Sequence, residues 1–446
     1  MESTDPVILL VDPADSRNGH AYRTAIHELG FGVVSLSTGP PSALTPPPDG
    51  PDGERSLHAD GVDDAVRRIR AAGWDLRAVV PSHGATVHLA DEIAARLGLP
   101  GNDPALGWAR RNKGAMRARA VRTGVSVPEF QLVTSLDAVA RAARDIGFPV
   151  VVKQTMGSGS YGVRVIGDPA DLDEAARSLT VDRLDRPLTE WLVERYVRGR
   201  EYAVNVFSAG GAHRLVDIWE YRQPDDRDYD FPLWDIVQID GAHPDHVRVE
   251  CFVKQVLDAF GVRQGPSHIE VKCEGDEVFL IELAPRFSGG PAVPMWTIHS
   301  GLRPFHDAVE CYLGRRPRMI DGDHGFRAVL GSVVIRNDDG PGTLVAVHGL
   351  DALRALPGVA DVLVEFRPGD HVPVTHHNMC IPVSASVHGP DRATVLRTMA
   401  LARQTVRLEI APGPADRAAV TPGAVAPGAV APGAVAPGAV APGAVA

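Results

Sequence analysis

The sequence predicts an α/β protein: an N-terminal Rossmann-like unit with a parallel, doubly wound sheet, a central α/β unit, and a strand-rich C-terminal lid of α+β character. Three observations carry this. At the N-terminus a five-residue apolar run (VILLV, 7–11), a helical spacing over His20–Leu29 and the run FGVVSL at 31–36 alternate as strand, helix and strand. In the middle of the chain, short β-branched runs alternate with helical spacings that stop at glycine. From about 321 to 412 the apolar runs are short and bounded by turn residues.

Each element follows in order. VILLV is apolar at every position, as a strand covered on both faces must be. The loop DPADSRNG leads to the helix that ends at Gly30. The stretch from about 38 to 61 is rich in Pro, Gly and Asp and reads as a surface excursion. A helix over Val62–Ala72, a strand over Leu76–Val80 and a helix over His88–Leu97 complete a unit spanning 1–111. After a break at Gly98–Pro104 comes a basic helical stretch, WARRNKGAMRARAVRTG. The central unit is expected over 112–320, divided into a part at about 127–197 and another at about 201–320. The first holds a helix Leu136–Ile146, a strand Pro149–Lys153, a glycine-rich loop, a strand Gly162–Ile166 and a helix Asp171–Leu179. Strands at 190–197 and 201–208 flank Arg198-Gly199-Arg200. A helix over 247–260 then leads to a strand pair around Glu270 and Glu282. The lid occupies 321–412. Of the remainder, 413–446, the end repeats PGAVA, starting at 422, 427, 432, 437 and 442, and this repeat has no charge, aromatic residue or helical period. A disordered tail with no catalytic role is expected.

A chain of 446 residues has room for two to four domains, and 44% hydrophobic with 23% charged residues is a soluble globular composition. Forty-five basic residues against 56 acidic ones give a net charge of −11. That argues against a general nucleic-acid or anionic-membrane binder, both of which need a basic face, yet leaves room for a local basic pocket. The four cysteines (Cys251, Cys273, Cys311, Cys380) are far apart and form no CxxC, so reduced, packed thiols are expected. MESTDPVILLVD is no signal peptide and no apolar run approaches about 18 residues, so no membrane span and a cytoplasmic location are expected. His371, His376 and His377 read either as solvated loop histidines or as a metal cluster.

Two motifs carry chemistry, and a third is suggestive. Val150–Val163 (VVVKQTMGSGSYGV) is a strand, a glycine-rich loop and a second strand. A dinucleotide fingerprint would run into a helix instead. Such a hairpin tip lets backbone N–H groups approach phosphates, with Lys153 adding positive charge; the alternative is a plain flexible hairpin. The second motif pairs Ser267–Lys272 with Glu277–Arg286. A three-residue turn, Glu274-Gly275-Asp276, places Glu270 opposite Leu280 and His268 opposite Glu282, so the two glutamates are diagonal neighbours on one face. A slip of one residue would split them. Two carboxylates so placed suit Mg2+, which takes one or two carboxylates plus phosphate oxygens. The third stretch, Glu190–Val204, is either a charged hairpin or a strand–break–strand that offers backbone groups to an adenine edge.

In their order along the chain, Lys113, Lys153, the glycine-rich loop, the Glu194–Glu201 hairpin, Glu270, Glu282 and Arg286 resemble the ATP-grasp superfamily over roughly residues 5–412. The resemblance implies an ATP-grasp fold and a ligase. Lys113 and Lys153 would contact ATP phosphates beneath the loop Gly157, Ser158, Gly159, Ser160 and Gly162. Glu194, Arg195 and Val197 would lie at the nucleotide, with backbone near the last two meeting adenine and Glu201 meeting the ribose. Glu270 and Glu282 would hold Mg2+, or Mn2+ in its place, and Arg286 would steady the acyl-phosphate and tetrahedral intermediate.

Many superfamily members end this strand with Glu-x-Asn, where the Asn helps hold a second metal; here Glu282-Leu283-Ala284 offers no such ligand. The pattern His-x-Glu-x-Lys followed by Ile-Glu-x-Ala-x-Arg-Phe is similar to the dipeptide-forming L-amino acid ligase branch. That implies a small-molecule carboxylate joined to an amine through an acyl-phosphate, releasing ADP and phosphate. Gly290 follows Gly289 where the dipeptide-forming relative has a bulky aromatic, which implies a roomier acceptor pocket. His268 and His83, the latter in the turn Ser82–Thr86, are candidates beside the substrate, and Trp219–Trp234 is a candidate pocket wall. Dimerisation is common among such ligases. The alternatives are a carboxylase or purine-biosynthesis type of ATP-grasp enzyme, and a non-catalytic ATP-binding regulatory protein.

Overall fold

The alternation of strand and helix at the N-terminus closes, in the computed structural model, into a four-stranded parallel sheet of order β3-β2-β1-β4. The structure describes residues 5–11, 17–38, 54–157, 159–172, 175, 179–182, 186–222, 235–322 and 325–412. The repeat tail lies outside the described residues. The strands are β1 (Val7–Val11), β2 (Gly32–Thr38), β3 (Arg55–Ala59) and β4 (Leu76–Pro81), with helices α1 (Arg17–Glu28), α2 (Val62–Ala72) and α3 (Val87–Leu97). The apolar run of β1 has a plain cause: Ile8 and Leu10 face one core, while Val7, Leu9 and Val11 face another. The expected excursion over 38–61 is corrected at its end, where β3 pairs as an edge strand with β2. Of its five residues only Ala59 is buried, so the apolar signal was too thin to read.

A basic helix α4 (Lys113–Thr123) follows, shorter than the basic stretch because Asn112 caps it by accepting from Ala115 N at 2.9 Å. Next comes a small antiparallel sheet of order β5-β8-β6-β7: β5 (Phe130–Val133), β6 (Val150–Gln154), β7 (Val163–Ile166) and β8 (Trp191–Arg195). Helix α5 (Leu136–Ile146) packs Val139, Ala142 and Ala143 on it. The expected helix over Asp171–Leu179 falls largely outside the described residues, which show a short 3-10 turn at Pro169–Asp171.

The body of the molecule is one eight-stranded antiparallel sheet of order β13-β12-β9-β10-β11-β14-β18-β16. Its first five strands in chain order are β9 (Arg200–Ala209), β10 (Ala212–Arg222), β11 (Asp235–Ile239), β12 (Gly265–Glu274) and β13 (Glu277–Ala284). The C-terminal segment contributes β14 (Val329–Ile335), β16 (Val359–Val364) and β18 (Val383–Gly389). It also forms a three-stranded sheet from β15 (Gly342–His348), β17 (His371–Val372) and β19 (Arg407–Pro412). The helix His246–Ala259 covers one face through Val249, Val253 and Val256. The helices Ala292–Ser300 and Pro304–Tyr312 join a core shared with Ile8, Leu10 and Tyr22 of the N-terminal unit. The helix Arg392–Thr405 buries Val395, Met399 and Ala402 beneath β14 and β18. All four cysteines are free, and no described helix is long and apolar enough to cross a membrane.

Candidate active site

The hairpin of β12 and β13 departs from the expected register in two compensating ways. Its turn is Gly275-Asp276, with Glu274 opposite Glu277, not three residues with Cys273 opposite Glu277. Continued unbroken, that ladder would place Glu282 opposite Ile269 and split the two glutamates across the sheet. A bulge at Ile281 adds one residue to β13, after which Glu270 faces Glu282 directly and His268 faces Ala284. The carboxylates therefore share a face as direct partners, not as diagonal neighbours.

Each carboxylate has protein donors. Tyr221 Oη donates to Glu270 Oε1 at 3.2 Å, and His268 Nε2 lies 3.5 Å from the same oxygen. Burial pushes the Glu270 carboxyl up, but His268, Lys113 and Arg286 outweigh it and hold it at about 2. Lys113 Nζ lies 3.2 Å from Glu282 Oε2 and donates to Gly157 O at 3.3 Å. Two opposed, partly exposed carboxylates are hard oxygen donors that fit Mg2+. Among the described residues no group of three His, Cys, Asp or Glu could hold a metal ion. Were Mg2+ bound here, these two carboxylates would be the protein's share, with phosphate and water oxygens to complete the shell. The histidine cluster expected as one reading of 371–377 is likewise not formed among the described residues.

Lys153, at the end of β6, is buried and pairs with Glu194 Oε2 at 2.5 Å. Arg117, fully buried on α4, binds both oxygens of Glu194 and donates from Nη2 to Ile281 O at 2.8 Å. Burial alone would raise the Glu194 carboxyl, yet Arg117 and Lys153 lower it to about 2. Glu194 thus anchors Lys153. Arg117 was not among the sequence candidates. Its signal was there: it lies four residues after Lys113, on the same face of one helix.

The glycine-rich loop is the tip of the β6–β7 hairpin, as expected from its sequence. Gln154 Nε2 donates across it to Tyr161 O at 3.2 Å, and Ser160 takes a left-handed backbone with φ of 61°. Ser158 lies outside the described residues. From the C-terminal segment, Asn378 N donates to Gly159 O at 3.3 Å, and the His377 ring lies edge-on to Tyr161 at 5.3 Å. Burial, then His376 and Arg164, lowers His377 from its ordinary 6.5 to about 4. A histidine so depressed contributes its stabilisation above 6.5 and loses it as pH falls through 4. Loop amides, corrected for intrinsic exchange, should therefore exchange hydrogen faster as pH drops across this window, and His377→Phe should remove that trend. An identical trend in the variant would rule out His377 as its source.

At the expected nucleotide residues, Lys272 donates to Val197 O at 3.3 Å, lies 3.5 Å from Glu201 Oε2 and sits over the Tyr196 ring at 4.6 Å. Burial raises the Glu201 carboxyl against the pull of Lys272. The Arg195 side chain is engaged by Glu274, with Nη1 donating to Oε2 at 2.9 Å. Gly199 makes the close approach possible: a Cβ there would stand 2.1 Å from Cys273 O, and φ is 122°.

Arg286 donates from Nη1 to Phe287 O at 2.7 Å, and its Nε lies 3.0 Å from where a Cβ on Gly84 would be. The turn Ser82–Thr86 therefore packs on Arg286 and brings His83 from the N-terminal unit to the site. Burial first, then Arg111 and Arg286, lowers His83 to about 4. His268 Nδ1 is 3.2 Å from Asn205 Oδ1, and Asn205 Nδ2 in turn donates to the buried Asp217 at 2.7 Å. Gly289 and Gly290 are exposed, with open space where a Cβ would point. The expected pocket wall at 219–234 is corrected in part. Trp219 is buried in the core and Glu220 pairs with Arg392, which leaves Tyr221 at the site. Tyr229, Asp230 and Trp234 lie outside the described residues.

Residues 146–294 match the ATP-grasp domain and residues 338–411 match the L-amino acid ligase C-terminal domain 2. An uncharacterized protein of Sinorhizobium fredii is 28% identical over 89% of this chain and 81% of its own. The L-arginine-specific L-amino acid ligase of Bacillus subtilis is 23% identical over 58% of this chain, a match that spans 62% of that ligase. The crystal structure of an L-amino acid ligase from Bacillus licheniformis superposes with a TM-score of 0.68 at 16% identity, covering 92% of this chain and 100% of that one. The two domain matches and these relatives agree in kind, and the chain accordingly carries an ATP-grasp domain followed by an L-amino acid ligase C-terminal domain, the make-up of a carbon–nitrogen ligase.

Proposed function

We propose that the protein joins the carboxylate of an amino acid or related acid to an amine, with ATP as co-substrate and an acyl-phosphate as intermediate. The observation that carries this reading is the direct opposition of Glu270 and Glu282, with Lys113 on one of them and Arg286 beside the turn Ser82–Thr86. Mg2+, or Mn2+ in its place, would be held by these two glutamates and would neutralise phosphate charge. The acid's oxygen attacks the γ-phosphorus and ADP leaves; the amine then attacks the acyl carbon and phosphate leaves. Positioning and charge neutralisation are what such a transfer needs from a protein. Lys113 and Lys153 supply fixed cations under the glycine-rich loop, which excludes water from the transferring phosphoryl group. Arg286 offers a guanidinium to the oxyanion of the addition step. His83 and His268 line the acid and amine sides. The open space at Gly289 and Gly290 supports an acceptor with a bulky side chain, and the arginine-specific relative supports an amino acid as one partner.

Phosphate release from ATP and Mg2+ across a panel of single amino acids and pairs tests the reading. Release that requires a pair, with ADP formed and a new amide mass, is the expected outcome. AMP as product would overturn the acyl-phosphate, and silence across amino acids and other small acids would overturn the ligase assignment.

A further inference from the structure

Each of three cleft carboxylates is paired with a lysine: Glu194 with Lys153 at 2.5 Å, Glu201 with Lys272 at 3.5 Å and Glu282 with Lys113 at 3.2 Å. The third pair differs in kind, because Glu282 is proposed above as a metal ligand. We propose that Lys113 is a resident counter-ion that closes this metal site to bare divalent cations, so that metal and phosphates load together. The inference rests on the metal reading of Glu270 and Glu282.

The geometry supports it at both ends of the lysine. Its backbone is fixed, since Lys113 N donates to Thr155 O at 2.9 Å and the preceding Asn112 caps the helix. Its ammonium bridges two groups of the ligand site, Glu282 Oε2 and Gly157 O in the glycine-rich loop. The Lys113 side chain is only 8% exposed, so little water is at hand to replace a lost partner. Glu270 is engaged as well, by Tyr221 and His268. A cation arriving alone must displace the ammonium from Glu282 and leave a buried charge unpaired, which is unfavourable. A cation arriving with a polyphosphate brings the replacement partner: the carboxylate passes to the metal and the ammonium to a phosphate oxygen. Every charge then stays paired throughout the exchange.

The test is Mn2+ binding, read from the electron paramagnetic resonance signal of free Mn2+ without nucleotide. The unaltered protein should bind Mn2+ only in the millimolar range. Lys113→Met, which keeps the aliphatic stem and removes the charge, should bind at least about tenfold more tightly, and Lys113→Arg should behave as the unaltered protein. No gain in Lys113→Met with a native circular-dichroism spectrum, or an equal gain in Lys113→Arg, overturns the proposal. So does micromolar Mn2+ binding by the unaltered, nucleotide-free protein, which needs no variant to fold. Mn2+ binding at saturating ADP in Glu282→Gln separates the two levels. If it matches the unaltered protein, the metal reading itself fails; if it is lost while Lys113→Met shows no gain, only the counter-ion role fails.

Discussion

Glu282→Gln should lower kcat by at least about a thousandfold, with an unchanged circular-dichroism spectrum. The substitution keeps volume and hydrogen-bonding reach but removes the negative charge opposite Glu270. Metal neutralisation of transferring phosphate is worth several kcal/mol, and about 4 kcal/mol corresponds to a thousandfold in rate. The fold has little reason to respond, since the Glu282 side chain is 26% exposed and pairs with Lys113. Steady-state phosphate release and the spectrum together decide the matter. Near-normal turnover in a folded variant would remove Glu282 from the metal site.

Arg117→Met should be the most damaging single change to stability, costing about 3–5 kcal/mol, the usual penalty for breaking a buried pair from one side. Arg117 is fully buried and holds both oxygens of Glu194, which would be left with Lys153 alone. It also holds the carbonyl of Ile281, the residue that forms the bulge between Glu270 and Glu282. One side chain thus ties the small sheet that carries the glycine-rich loop to the hairpin that carries Glu270 and Glu282. A fall in thermal midpoint of roughly 6–20 °C is expected on the size scaling of large domains. Glu194 titrates near 2 when folded, below its ordinary 4.5, so its contribution is complete above 4.5 and lost as pH falls through 2. The gap between variant and parent should therefore narrow in acid. A midpoint unchanged at neutral pH would show that Arg117 is not a structural tie.

Much of this site could be read from the sequence, and the limits of that reading are physical. Helices α2 and α5 match their expected bounds because glycine stops and apolar spacing agree there. The hairpin with Glu270 and Glu282 was visible in its alternation, but its register was not. A two-residue turn and a three-residue turn fit the same residues, and the bulge that restores the shared face depends on Ile281 meeting an arginine 164 residues away. Lys153 and Glu282 stand out as charges placed in otherwise apolar or glycine-rich surroundings, whereas Lys113 is one cation among many in a basic helix. Arg117 could be placed on the Lys113 face of its helix, but neither its partner Glu194 nor the Glu201 partner of Lys272 is marked by anything local in the sequence. Tyr221 was recoverable only as one aromatic among several, since its neighbours Trp219 and Glu220 turn to the core and to Arg392.

The eight-stranded sheet bears on how such enzymes are assembled from parts. The two matched segments, 146–294 and 338–411, suggest interchangeable modules joined by a connector. Yet β14 belongs to neither segment, and it pairs with β11 on one side and β18 on the other. Val333 at its centre is fully buried. The connector is thus the keystone of a shared sheet, and a recombination event at either module boundary would cut through a hydrogen-bonded ladder. Separated from β14, β11 would present an open edge, a template for pairing with other chains. Swapping C-terminal domains among these ligases therefore means inheriting β14 together with both of its neighbours, so the unit of exchange is larger than the unit of sequence similarity.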